Sequence, residues 1–231
     1  MVFINDNFII INDNFCNMKK YINKEVDGIM FDLGVSSPQL DEAERGFSFH
    51  KDAELDMRMD KRNPLNAKIV VNEYSYDKLV DIFYRFGEEK YSKSIAKSII
   101  ENRPINTTLE LAEIIKNSVP ISYRNKSHPA RKVFQAIRIE VNDEIKPLYD
   151  TVKNSISVLN KGGRLCIITF HSLEDRAVKN AYIDAKGKCT CPSDIPYCVC
   201  NFVSLGNIIT KKPIIPSLEE QEINSRSKSA K

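Results

Sequence analysis

Lys161-Gly162-Gly163-Arg164-Leu165-Cys166-Ile167-Ile168-Thr169-Phe170 is the stretch whose reading decides the fold. The paired glycines punctuate a helix end, and the apolar, partly β-branched run after them reads as a buried strand. Upstream, Leu148, Val152, Ile156 and Leu159 recur at a spacing that keeps one helical face apolar. A helix, a Gly-Gly break and a continuous apolar strand together spell a parallel α/β sheet. Two earlier runs read as further buried strands: Val26-Asp27-Gly28-Ile29-Met30-Phe31-Asp32-Leu33, closed by Gly34, and Phe8-Ile9-Ile10-Ile11. Between the last two a short polar helix is predicted from Cys16 to about Ile22.

From Gly34 to Gly163 the chain is far longer than the ~30 residues of an ordinary crossover. The excess reads as a helical insertion. Its stripes are Leu79, Ile82, Phe83 and Phe86; Tyr91, Ile95 and Ile99; and Val133, Phe134, Ile137 and Val141. Thr107 and Glu110 form a capping box opening a helix that ends before Pro120. Three segments follow: residues 1–45 as the first part of the sheet domain, 46–140 as the helical insertion, and 141–231 as the second part. The Ser- and Lys-rich tail from Asn224 to Lys231 is expected to be mobile unless docked.

Composition narrows the function classes. Hydrophobic residues make up 42% of the 231, enough for a sizeable core. No apolar run approaches the ~18 residues that span a bilayer, and Met1 to Asn14 has no basic region typical of a leader. A cytoplasmic, membrane-free protein is therefore expected. Lys and Arg number 34 against 31 acids, so any nucleic-acid-binding surface must be local. One such place exists. Val119 to Ile139 contains no acid but holds Arg124, Lys126, Arg131, Lys132 and Arg138, with Tyr123 and His128 between them. Either a phosphate-neutralising patch or an ordinary solvated basic face fits this pattern.

Asp32 stands at the carboxyl end of a parallel strand, where open α/β sheets bind ligands. Ser37 and Pro38 suit the N-cap and first position of a helix beyond it. His171 ends the later strand at the same edge. It is either a contact to substrate or a neighbour of a helix start capped by Ser172 and Asp175. Late in the chain Cys189, Cys191, Cys198 and Cys200 form two close pairs. They are a candidate set for a structural zinc ion. Reduced thiols are the alternative, and a disulfide is disfavoured in a reducing compartment.

Three ordered blocks bear a resemblance. They are Asp32-Leu33-Gly34-Val35-Ser36-Ser37-Pro38-Gln39-Leu40 running on to Arg45-Gly46-Phe47-Ser48-Phe49 and Leu55-Asp56-Met57-Arg58-Met59; His128-Pro129-Ala130-Arg131 through Phe134-Gln135-Ala136-Ile137-Arg138; and Thr169-Phe170-His171-Ser172-Leu173-Glu174-Asp175-Arg176. In order and content they resemble the RsmH (MraW) family, from about Phe15 to Lys231. The resemblance implies a class I, Rossmann-like fold dependent on S-adenosylmethionine, with an inserted helical domain. It implies methylation of a cytidine N4 amine in the decoding region of small-subunit ribosomal RNA, with RNA or the small subunit as partner rather than DNA. By the same resemblance Phe15, Asp32 and Gln39 contact the donor. Catalysis needs mainly alignment of the sulfonium methyl with the amine, helped by acceptors on N4–H such as Asp32 and Ser36, with His171 near the base. Arg124, Lys126, His128, Arg131, Lys132 and Arg138 are the candidate RNA-binding residues.

The family's glycine-rich loop for the methionine end of the donor has no counterpart. The eight glycines include none before Gly28 and no G-x-G. By resemblance the chain starts at the third strand of the sheet, which is incomplete, as in a late start or a broken gene. Missing several charge-assisted contacts of ~1.5–3 kcal/mol each predicts donor binding weakened roughly a thousandfold. An unpaired edge is expected along Ile29 to Leu33. The tail stops where a last strand is expected. An inactive or barely folded isolated chain follows, so an inactive RNA-binding module is the competing reading. A nucleotide-binding α/β protein unrelated to methylation is disfavoured by the absent phosphate loop.

Overall fold

A computed structural model describes residues 2–5, 8–125, 128–188, 191, 200 and 203–231, the first four by backbone only. The chain divides into two units, Met1–Gly34 with Ile145–Lys231, and Val35–Glu144.

In the first unit β1 (Val2–Asn5) and β2 (Phe8–Ile11) form an antiparallel hairpin, and β3 (Val26–Asp32) pairs parallel with β4 (Leu159–Ile168). Gly28 lies opposite Arg164 and Asp32 opposite Ile168. Side chains alternate across a strand. Phe31 and Leu33, with Ile29, Leu165 and Ile167 beside them, face the helices that flank β4 in sequence, α8 (Leu148–Ile156) and α9 (Ser172–Lys186). Leu148, Val152, Val178 and Ala181 complete that core. The opposite face is open: Met30 is 70% exposed and its partner Cys166 is exposed.

This corrects the reading of buried strands in two places. β2 is a strand, but Phe8, Ile9 and Ile10 are all more than half exposed, because among the described residues it pairs only with β1. In β3 only alternate positions are covered, because the sheet has two strands among the described residues and α8 and α9 lie against one face. Gly162 and Gly163 do not end a helix. α8 stops at Ile156, and the glycines sit inside β4 opposite a register shift in β3. A Cβ on Gly163 would come within 2.9 Å of the Asn160 carbonyl and 3.2 Å of that of Asp27, so glycine permits the irregularity. The turn before β3 is a 3-10 helix, Phe15–Lys20. The tail is docked: Lys231 and Thr169 exchange both backbone hydrogen bonds, at 2.9 and 3.1 Å. It holds α10 (Leu218–Ile223) and a 3-10 turn, Ser225–Ser229.

The second unit is helical: α1 (Ser37–Asp41), a 3-10 turn (Ala43–Arg45), α2 (Ala67–Glu73), α3 (Tyr76–Arg85), α4 (Ser92–Glu101), α5 (Thr108–Asn117), α6 (Ile121–Arg124) and α7 (Ala130–Asn142). The predicted stripes of the insertion lie on helices or helix caps, and Thr107 with Glu110 caps α5 as read, whereas Leu159, read with the Leu148 face, begins β4 instead. α7 meets α2, α3 and α5 and buries Val133, Phe134, Ala136, Ile137, Ile139 and Val141. At Gly87 a Cβ would stand 2.9 Å from the Lys132 carbonyl, so glycine lets the α3–α4 turn lie on α7.

The unit starts at Val35 rather than at 46 and ends at Glu144 rather than at 140. Hydrogen bonding explains the shift. Arg45 donates to the carbonyls of Arg58 (2.7 Å) and Met59 (3.3 Å), and Met57 donates to the Arg45 carbonyl. Asn142 then accepts from Met59 at 2.7 Å and donates to Met57 at 2.8 Å. The segment before residue 46 and the end of α7 are thereby pinned to one loop.

Candidate functional site

At the carboxyl end of β3, alternation places Asp32 on the open face with Met30, and its side chain is exposed. Phe15, 40% exposed, sets its ring 5.5 Å from that of Phe31, the residue before Asp32. The turn bearing Phe15 is held by residues that sequence reading overlooked. Asn14 caps it, accepting from the Cys16 amide. The Asp13 carboxylate accepts from the Tyr21 hydroxyl, the Asn17 amide and the Asn14 backbone, which pull its pKa down to about 2.

Beyond β4, His171 is the N-cap of α9. Its Nδ1 accepts from the Glu174 backbone at 3.4 Å, while Glu174 accepts from the backbone of Phe170 (2.8 Å) and His171 (3.3 Å). The box is therefore His171 with Glu174, one residue earlier than the predicted Ser172 and Asp175 pair. Both side chains are buried, and His171 Nε2 lies 3.2 Å from Glu174 Oε1, outside hydrogen-bond geometry. Gly34 approaches the same cap, since a Cβ there would lie 3.5 Å from the Phe170 ring and 4.0 Å from Glu174 Oε1. The first unit thus sets Asp32, Gly34 and His171 on the residues that close or follow its parallel pair, with Phe15, on the turn before β3, packed against Phe31.

Ser36 and Gln39 belong to the second unit. Ser36, not Ser37, is the N-cap of α1, which puts Pro38 at the second helical position. Gln39 Oε1 accepts from the Ser36 amide at 2.9 Å, so its carbonyl orients the turn.

The basic residues of this unit divide by partner. Arg138 makes a bidentate pair with Glu144, both bonds 2.8 Å, with 17% of its side chain exposed. Lys132 donates to the Glu88 carbonyl at 2.9 Å. These two brace the helices rather than forming the open basic face expected of them, because each has a structural acceptor within reach. Arg124 is half-buried, its Nε donating to the Val119 carbonyl at 3.0 Å. Arg131 and His128 are exposed. Lys126 lies outside the described residues, as do Cys189 and Cys198 of the proposed zinc set.

Two clusters escaped sequence reading. Glu89, completely buried, accepts from the Tyr91 amide (2.9 Å) and the Tyr123 hydroxyl (2.7 Å), and burial followed by this bond pushes the Tyr123 phenol upward. His128 stacks on Phe49 with centroids 4.9 Å apart, and Phe49 meets Phe134 edge-on at 5.5 Å. Burial, then the neighbouring His50, lowers the His128 pKa. Neither grouping has a linear signature, since each joins residues far apart in the chain.

The family model described as the MraW methylase family matches residues 1–231. The chain belongs to the MraW methylase family. It is a methyltransferase, and the class implies S-adenosylmethionine as methyl donor. Similar curated proteins carry the name ribosomal RNA small subunit methyltransferase H. That of Clostridium botulinum (strain Loch Maree / Type A3) is 52% identical over 233 residues, covering 98% of this chain and 75% of that protein. Those of Finegoldia magna and Brevibacillus brevis are 50% and 48% identical, again over 98% of this chain and 75% and 74% of their own lengths. The resemblance in the three sequence blocks is thereby borne out at the level of the family. The parallel pair with its flanking helices agrees with a Rossmann-like methylase sheet. Among the described residues no helix is long and apolar enough to cross a membrane.

Proposed function

We propose that this methylase transfers a methyl group from S-adenosylmethionine to the N4 amine of a cytidine in the decoding region of small-subunit ribosomal RNA, in the cytoplasm. The exposed carboxylate of Asp32 at the carboxyl end of a parallel strand, with the half-exposed Phe15 ring packed one residue away, carries this reading. These groups suit the adenosyl side of the donor, an aromatic plate beside an acid. Gln39 is assigned to the donor as well, through its amide nitrogen.

The donor supplies a methyl on sulfonium, already activated for displacement. The work left to the chain is alignment and acceptance of the amine proton. The cytosine N4 lone pair is delocalised into the ring. A carboxylate accepting from N4–H favours the tetrahedral, nucleophilic form, and we assign this to Asp32 with Ser36 as a second acceptor. His171, tied into the α9 cap, serves to position the turn after β4. For RNA phosphates we retain Arg124, Lys126 and Arg131, and leave Lys132 and Arg138 to their helix-bracing bonds.

Calorimetry tests the donor side. The chain should bind S-adenosylmethionine, and Asp32→Ala should weaken that binding about tenfold or more. Equal affinity of Asp32→Ala and wild type would contradict the assignment of Asp32 to the donor. At millimolar donor, labelled methyl groups should pass into small-subunit RNA. RNA bound without any label transferred would favour the inactive RNA-binding reading instead.

A further inference from the structure

The helical unit holds a groove of about 480 Å³ that the methyl-transfer chemistry does not use. Its walls include Phe49, Leu109, Glu113, Lys116, Arg124 and His128. We propose that this groove seats one unpaired nucleobase of the RNA against His128 and Leu109, with its phosphate toward Lys116 and Arg124. The inference rests on the ribosomal RNA reading above and deepens it.

Ring geometry carries the base-stacking part. The His128 imidazole lies nearly parallel to Phe49, 20° between planes, and Phe49 is backed edge-on by Phe134 and flanked by His50 at 4.2 Å. The platform is therefore braced from behind while His128 itself is exposed. Leu109 is 43% exposed on the groove wall, an apolar surface that a base would cover. Nδ1 of His128 accepts from the Ala130 amide at 3.3 Å, which assigns the proton to Nε2 as a donor for a base edge. Burial, then the neighbouring His50, shifts this ring toward its neutral form. A flat, neutral ring with a donor at its rim suits stacking, which every base supports and which is the usual mode of single-strand capture.

Charge selects the occupant. Arg124 is fixed beside the groove by its bonds to the Val119 carbonyl (3.0 Å) and Asn117 Oδ1 (3.4 Å). Lys116 is paired with Glu113 at 3.0 Å, but both side chains are about half exposed, so the pair is weak and exchangeable for a phosphate. No acid occurs from Val119 to Ile139, so the chain entering α7 adds only positive charge. A stacking ring beside fixed cations recognises a nucleotide better than an acidic peptide, which would find no use for the exposed ring face.

Fluorescence anisotropy of the full chain with a labelled, unstructured RNA of about ten nucleotides tests the assignment. His128→Ala should weaken binding about tenfold, and His128→Tyr should restore most of it. Placing single abasic sites along the probe should find one position that weakens the wild-type protein and leaves His128→Ala unaffected. That coupling separates stacking from general loss of charge or of folding. Equal affinity of His128→Ala and wild type for every probe would overturn the groove while leaving RNA methylation standing. A wild-type chain that bound no RNA would overturn both readings together.

Discussion

Asp32→Ala should lower kcat/KM for methyl transfer to small-subunit RNA by about a hundredfold or more, measured at millimolar donor. The carboxylate is the acceptor assigned to the amine proton and also a contact to the donor, so its loss removes both ground-state and transition-state interactions. Asp32→Asn keeps an acceptor oxygen without the charge and should fall between the two. Folding offers no competing explanation, because the Asp32 side chain is exposed and the strand is held by Phe31 and Leu33 on the other face. Circular dichroism of the variant should match the wild type. Activity within about threefold of wild type would remove Asp32 from the mechanism.

Glu89→Ala should destabilise the helical unit by about 2–4 kcal/mol and lower its melting midpoint by roughly 10 °C. This carboxyl group is fully buried and joins the start of α4 to α6 through Tyr91 and Tyr123. Alanine leaves the part-buried Tyr91 amide and Tyr123 phenol without this acceptor and empties the space of a fully buried side chain. Glu89→Gln retains an acceptor for one of them and should cost about 1 kcal/mol. Thermal unfolding followed by circular dichroism reads both values. An alanine variant within about 0.5 kcal/mol of wild type would show that the tyrosines find other partners.

Legibility in the sequence followed the range of the forces involved. The helices of the second unit were readable because their apolar stripes are local and periodic. Leu79, Ile82 and Phe83, or Val133, Phe134 and Ile137, announce one buried face within three turns. Asp32, at the end of a β-branched and aromatic run, was equally local. Burial of the strands was not readable, since an apolar run such as Phe8 to Ile11 signals a wish to be covered and not what covers it. The partners of charged side chains were also beyond reach. Arg138 and Arg131 look alike in a basic stretch, yet one is clamped by Glu144 and the other is exposed. The cap at His171 lies one residue before the predicted Ser172 because serine is the commoner N-cap residue. The Phe49–His128 stack was invisible for the plainest reason, that nothing in the chain links the two positions except the fold.

Base-level mapping of the methylated product addresses the central assignment most directly. Small-subunit RNA incubated with the chain and millimolar S-adenosylmethionine bearing a labelled methyl group is digested and analysed by mass spectrometry. The label should reside on N4 of a single cytidine in the decoding region and be lost when Asp32 is replaced by alanine. Label on another base or another atom, or undiminished labelling by Asp32→Ala, would contradict it.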